Sequence, residues 1–140
     1  MKTKLILVYT LVALSLGLLA CSPKQASVEV SCDYFSRVKH FSQQVTIPLG
    51  RPLEVTLCSN PTTGFQWTEL AQISDKTVLE QVDHRYEPAE EKNIVGGAGQ
   101  EVWTFKALNK GTTTVSMEYS RPGEGGEKGH WTFIATIIVE

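Results

Sequence analysis

The sequence predicts an all-β fold, an immunoglobulin-like antiparallel β-sandwich, on three observations. Short runs with a period of two recur along the chain, rich in Val, Ile, Thr and aromatic residues. Clusters of Gly, Pro and Asn separate these runs at spacings suited to strand reversals. No segment of the folded part shows a helical period, so the apolar faces of the sheets must cover each other.

The chain has 140 residues, and its beginning stands apart from the fold. Lys2 and Lys4 precede an apolar run from Leu5 to Ala20 without an acidic residue, the pattern of an export signal over residues 1–20. The run ends Leu18-Leu19-Ala20-Cys21, which resembles the bacterial lipobox, whose cysteine is acylated. A single spanning helix is the other reading. The run, however, is short of the roughly 20 residues such a helix needs, and it stops at small residues. Residues 21–27 are then expected to tether residues 28–140, the sandwich domain, to a membrane surface through lipid on Cys21. Ser22 after that cysteine points to the outer membrane if the source is Gram-negative.

The strands are expected at Val45 to Leu49, Leu53 to Leu57, Phe65 to Leu70, Val78 to Tyr86, Glu101 to Leu108, Thr112 to Tyr119 and Trp131 to Val139, with Val28 to Cys32 as an edge strand. Alternation within them names the core: Leu53, Val55 and Leu57; Phe65 and Trp67; Trp103, Phe105 and Ala107; Val115, Met117 and Tyr119; Trp131, Phe133, Ala135, Ile137 and Val139. Ile134 and Ile138 fall on the opposite face of the last strand, either packed under a neighbour or exposed.

Without Lys2 and Lys4, 11 basic residues stand against 15 acidic ones, a balance of −4. No basic stripe is present to neutralise phosphates, so nucleic acid is excluded as a partner. With Cys21 assigned to lipid, Cys32 and Cys58 remain, either as a disulfide in an oxidising compartment or as two buried thiols. His40, His84 and His130 are isolated in sequence, and no His or Cys spacing suits zinc. The glycines from Gly96 to Gly99 precede no Lys-Ser or Lys-Thr helix start, so they form no phosphate loop. Neither cofactor nor catalysis is expected.

Because successive antiparallel strands reverse direction, alternate connections share one end. Ser59 to Gly64, Glu87 to Gln100 and Ser120 to His130 fall together there, while Ala71 to Thr77 and Asn109 to Gly111 fall at the other end. All three loops of the first set are rich in Gly or Pro, and two exceed what a reversal needs, so this end is a candidate binding rim. In the first loop Pro61 fixes one φ, Gly64 admits a backbone angle that other residues resist, and Asn60 can bond its own neighbours. Such a loop is stiff before it binds and loses little entropy on docking.

Asn60-Pro61-Thr62-Thr63-Gly64-Phe65-Gln66-Trp67 matches in full the N-P-T-T-G-[YF]-x-W loop of the chagasin-type inhibitors of cysteine proteases. Gly96-Gly97-Ala98-Gly99 resembles that family's second, Gly-rich loop, and Arg121-Pro122 its third, R-P-W loop. The likeness spans roughly residues 44–140. It implies that Thr62, Thr63 and Gly64 sit over the catalytic cysteine and histidine of a papain-like protease, with the second and third loops gripping the cleft on either side. Arg121 then contributes hydrogen bonds and Pro122 stiffness. The departure is Gly123, which stands where the family has tryptophan, so the third loop lacks an aromatic anchor of the kind that dominates many interfaces. Trp131 fits the core parity of the last strand and is assigned to the core rather than to that role. The resemblance implies a monomeric inhibitor with a papain-like cysteine protease as partner. The alternative is an envelope lipoprotein that binds a protein or glycan without inhibiting a protease, because sandwiches host many functions.

Overall fold

The computed structural model describes residues 25–89 and 96–140. The expected export signal, the lipidation site Cys21 and the first residues of the tether lie outside the described residues, as do residues 90–95 of the second loop.

Among the described residues nine strands form two facing sheets: β1 (Ala26–Val30), β2 (His40–Ile47), β3 (Pro52–Ser59), β4 (Gln66–Trp67), β5 (Gln72–Ile73), β6 (Leu79–Glu87), β7 (Gly99–Ala107), β8 (Gly111–Ser120) and β9 (Trp131–Val139). One sheet has the order β1-β3-β7-β6. The other runs β2-β9-β8-β4, with β5 also paired to β8. The fold is the expected all-β sandwich. The alternating positions named from sequence fill its interior, with Leu53, Leu57, Trp103, Phe105, Val115, Phe133, Ala135 and Ile137 fully enclosed. Ile134 is exposed on the outer face, as its parity allows.

Five features depart from the expectation, one being that β2 starts at His40 and ends at Ile47 rather than spanning Val45 to Leu49. The sheets are mixed, since β1 runs parallel to β3 and β2 runs parallel to β9. A helix, α1 (Cys32–Val38), lies where an edge strand was expected to end. The expected strand from Phe65 to Leu70 is only β4, and the following connection contains the extra short strand β5. Strand β1 also begins at Ala26, inside the expected tether.

The helix and the parallel pairs have one cause. Strand β1 climbs beside β3 towards the loop end, α1 carries the chain across that end to the other sheet, and β2 descends beside β9. Helix α1 is built locally: the Ser31 side chain accepts from the Tyr34 N–H, Asp33 sits in the first turn and Arg37 in the last. It spans two turns and buries only Phe35, so it has no apolar repeat from which a helical period could be read. A disulfide joins Cys32, at the start of α1, to Cys58 near the end of β3, with Cα atoms 5.0 Å apart.

Candidate functional site: a rim of loops and one helix

The loop end is organised around the connection that follows β3. Asn60 caps a single 3₁₀ turn over Pro61–Thr63, and Gly64 closes it in the left-handed region at φ 78°. The Asn60 side-chain oxygen accepts from the Thr62 N–H at 3.2 Å and from the Thr62 hydroxyl at 2.6 Å. The Thr63 hydroxyl donates to the Asn60 carbonyl at 2.7 Å, and the Gly64 N–H donates to Pro61 at 3.0 Å. Pro61, Thr62, Thr63 and Gly64 are nonetheless all exposed. The tip is therefore rigid and open to solvent, held by bonds that docking need not break.

Below the tip the loop is riveted to the core. Phe65 and Trp67 are buried, and the Trp67 indole N–H donates to the Cys58 carbonyl at 2.8 Å. The Asn60 N–H donates to the Tyr119 hydroxyl at 2.9 Å. One turn deeper, the enclosed Ser59 hydroxyl donates to the Glu101 carboxylate at 2.7 Å, and His84 Nε2 meets the other carboxylate oxygen at 2.8 Å. The order places the carboxylate between serine and imidazole, so the histidine cannot take the serine proton. This trio braces the loop and is not a hydrolytic triad.

The other two loops meet the first. The Asn60 side-chain N–H donates to the Gly96 carbonyl at 3.1 Å, tying the Gly-rich loop to the tip. Gly97 and Ala98 follow, and Gly99 opens β7 against Ser59. A side chain at Gly99 would collide with the Tyr86 ring and with the Glu87 backbone, so only glycine fits that crossing. In the third loop the Arg121 guanidinium lies 4.6 Å above the Phe65 ring. Pro122 and Gly123 are exposed beyond it.

The third loop is braced by its own residues. The Lys128 ammonium donates to the carbonyls of Arg121 at 2.7 Å and Gly123 at 3.2 Å. His130 bonds the Glu127 carboxylate at 2.6 Å, and that bond holds the Glu127 carboxyl below its usual range. Among the described residues, no group of His, Cys, Asp and Glu is gathered as a metal would require.

All the described residues singled out from the three motifs thus sit on one rim, with Phe65 and Trp67 beneath it. The sequence reading missed α1, which forms the rim's fourth side, together with the Tyr119 hydroxyl and the Ser59, Glu101 and His84 trio. Two signals were present: Ser31 before Asp33 is a helix-start pattern, and a tyrosine at core parity beside a loop needs a partner for its hydroxyl. Trp131 is only partly buried. It stacks on Tyr119 at 4.6 Å and on Phe35 of α1 at 5.1 Å, so it serves the rim as well as the core. Between α1 and the first and third loops the rim opens into a groove of about 440 Å³, with Phe65, Tyr119 and Trp131 among its lining.

This arrangement has known counterparts. The family described as chagasin family peptidase inhibitor I42 matches residues 46–137. The chain belongs to the chagasin family. Its curated relatives include chagasin of Trypanosoma cruzi, 32% identical over 88 residues that cover 61% of this chain and 79% of the relative. Amoebiasin-2 of Entamoeba histolytica is 33% identical over 87 residues, covering 62% of this chain and 69% of its own. Among solved structures, the cysteine protease inhibitor EhICP2 of Entamoeba histolytica shares the fold at a TM-score of 0.62 and 22% identity, covering 84% of this chain and 99% of that one. PbICP-C, solved in complex with falcipain-2, gives a TM-score of 0.54 at 17% identity over 82% of this chain and 99% of that one. The chagasin family is one of peptidase inhibitors, not enzymes. Residues 25–45 of this member, which carry β1, α1 and most of β2, precede the matched span.

Proposed function

We propose that this chagasin-family member inhibits papain-like cysteine proteases by seating the exposed turn from Asn60 to Gly64 in the active-site cleft, flanked by Gly96 to Gly99 and by Arg121 and Pro122. The observation that carries this reading is the turn itself, a solvent-exposed tip whose hydrogen bonds are already satisfied within the rim. Thr62 and Thr63 are compact enough for a narrow cleft. The closed 3₁₀ turn offers the nucleophile no extended scissile carbonyl, so docking leads to occupancy rather than cleavage. The test is titration of the mature, non-acylated chain into assays of papain and several related enzymes. Stoichiometric loss of activity is expected, and no inhibition at micromolar concentration across the set would refute the reading.

We further propose that the protein is an exported lipoprotein held by acylated Cys21 in the bacterial cell envelope, on the outer membrane if the source is Gram-negative. The lipobox-like Leu18 to Cys21 supports this. So does the path of β1, which starts at Ala26 beside Leu53, at the opposite end of β3 from the rim. A lipid placed there leaves the inhibitory loops facing away from the membrane. Detergent phase partition of the unchanged chain and of Cys21→Ala tests it: the unchanged chain is expected in the detergent phase and the variant in the aqueous one.

A further inference from the structure

The groove on the rim is bounded by a segment that precedes the span matched to the family. Ser36 of α1 forms its outer wall, Thr63 and Arg121 stand on its inner edge, and the rings of Phe65, Tyr119, His130 and Trp131 line it. Helix α1 is fixed in this position from both ends of its first turn and a half: Cys32 is bonded to Cys58, two residues before Asn60, and Phe35 stacks on Trp131. The wall is therefore as rigid as the plug beside it.

The third loop has glycine at Gly123, where the family motif has an aromatic, yet the adjoining recess is lined by aromatic side chains. We infer that the groove is a receptor for one bulky apolar side chain from the shoulder of the protease cleft, with α1 as the wall that selects it. This rests on the inhibitory reading above, because Thr63 and Arg121 belong both to the groove's edge and to the surface proposed to meet the protease. A protease seated on the turn covers the mouth of the groove. An unfilled recess would then forfeit contacts of the Trp131 ring, which is partly exposed where Phe65 and Tyr119 are buried. A lysine or arginine is disfavoured as occupant by the Arg121 guanidinium on the lip, whereas an aromatic or long aliphatic side chain can pack on the partly exposed Trp131.

The test combines a substitution with a spectroscopic probe. Ser36 is exposed, and its hydroxyl donates to the Asp33 carbonyl within the helix, so Ser36→Trp fills the groove from its wall. Burying an apolar side chain of the expected size is worth about 10- to 100-fold in affinity, so Ser36→Trp is expected to raise the Ki for papain by that factor. The chain has three tryptophans, and fluorine labelling of their rings gives one resonance each. On titrating the unsubstituted chain with active-site-blocked papain, the Trp131 resonance is expected to shift while that of Trp103, enclosed in the core, stays in place. A saturated complex in which Trp131 does not shift, or a folded Ser36→Trp variant that inhibits as tightly as the unchanged chain, overturns the receptor and leaves the plug standing. Absence of any binding by the unchanged chain overturns both.

Discussion

Removing one oxygen tests whether the turn from Asn60 to Gly64 is preset by the core. Tyr119 is 2% exposed, and its ring packs on Phe65, Trp67 and Trp131, so Tyr119→Phe keeps every aromatic contact. What disappears is the acceptor for the Asn60 N–H at 2.9 Å. A hydrogen bond of this kind contributes about 0.5–1.5 kcal/mol net, and the part-buried N–H left behind adds a desolvation cost. The expected loss of folding stability is about 1–2 kcal/mol, or roughly 4–8 °C in melting temperature for a domain of this size. If the bond also holds the turn in its binding conformation, the competent fraction of free inhibitor falls, and Ki rises in proportion, by about 5- to 10-fold. Thermal melts and tight-binding titration of papain measure the two effects separately. Lower stability with an unchanged Ki would refute the claim that the hydroxyl presets the turn.

Three further outcomes are expected. Gly64→Val places a β-branched residue at φ 78° with no clash, since a Cβ there has its nearest neighbour, Arg121, 4.0 Å away; the left-handed backbone costs about 1–2 kcal/mol, and the turn distorts rather than the fold. Inhibition should weaken about 30-fold or more while the near-ultraviolet circular dichroism stays native, and retained potency would show that the turn is not the plug. Glu101→Leu strands the enclosed Ser59 hydroxyl and His84, and urea denaturation should show a loss of about 2–4 kcal/mol, whereas Glu101→Gln, which still offers both partners a polar atom, should lose less than half of that. Reduction of Cys32 to Cys58 opens a loop with a sequence separation of 26, worth about 3–4 kcal/mol in chain entropy; guanidinium unfolding with and without reductant measures it.

Much of this protein was legible residue by residue, because the physics that decides it is local. A strand buried on one face alternates with period two, so Leu53, Val55 and Leu57 or Phe133, Ala135 and Ile137 declare their burial without reference to any partner. The same holds for the turn: Asn60 and Gly64 carry the cap and the left-handed angle in their own chemistry. Reversal of direction at each connection was then enough to gather three loops at one end, even though the bounds of several strands were misplaced. Expectation failed where seven residues decided the matter. Cys-Asp-Tyr-Phe-Ser-Arg-Val is rich in strand-favouring types, and only its capping and the burial of Phe35 against Trp131 make it a helix.

The sandwich, its core faces, the turn from Asn60 to Gly64 and the family were all legible from neighbouring residues, since alternation, turn chemistry and a contiguous motif are properties of short stretches of chain. Which strands run parallel, that Tyr119 and Glu101 hold the turn from beneath, and that α1 closes a groove beside it depend on the assembled fold. Those are meetings of residues far apart in the chain, Asn60 with Tyr119 or Phe35 with Trp131, and they exist only once α1 has carried the chain from one sheet to the other across the rim.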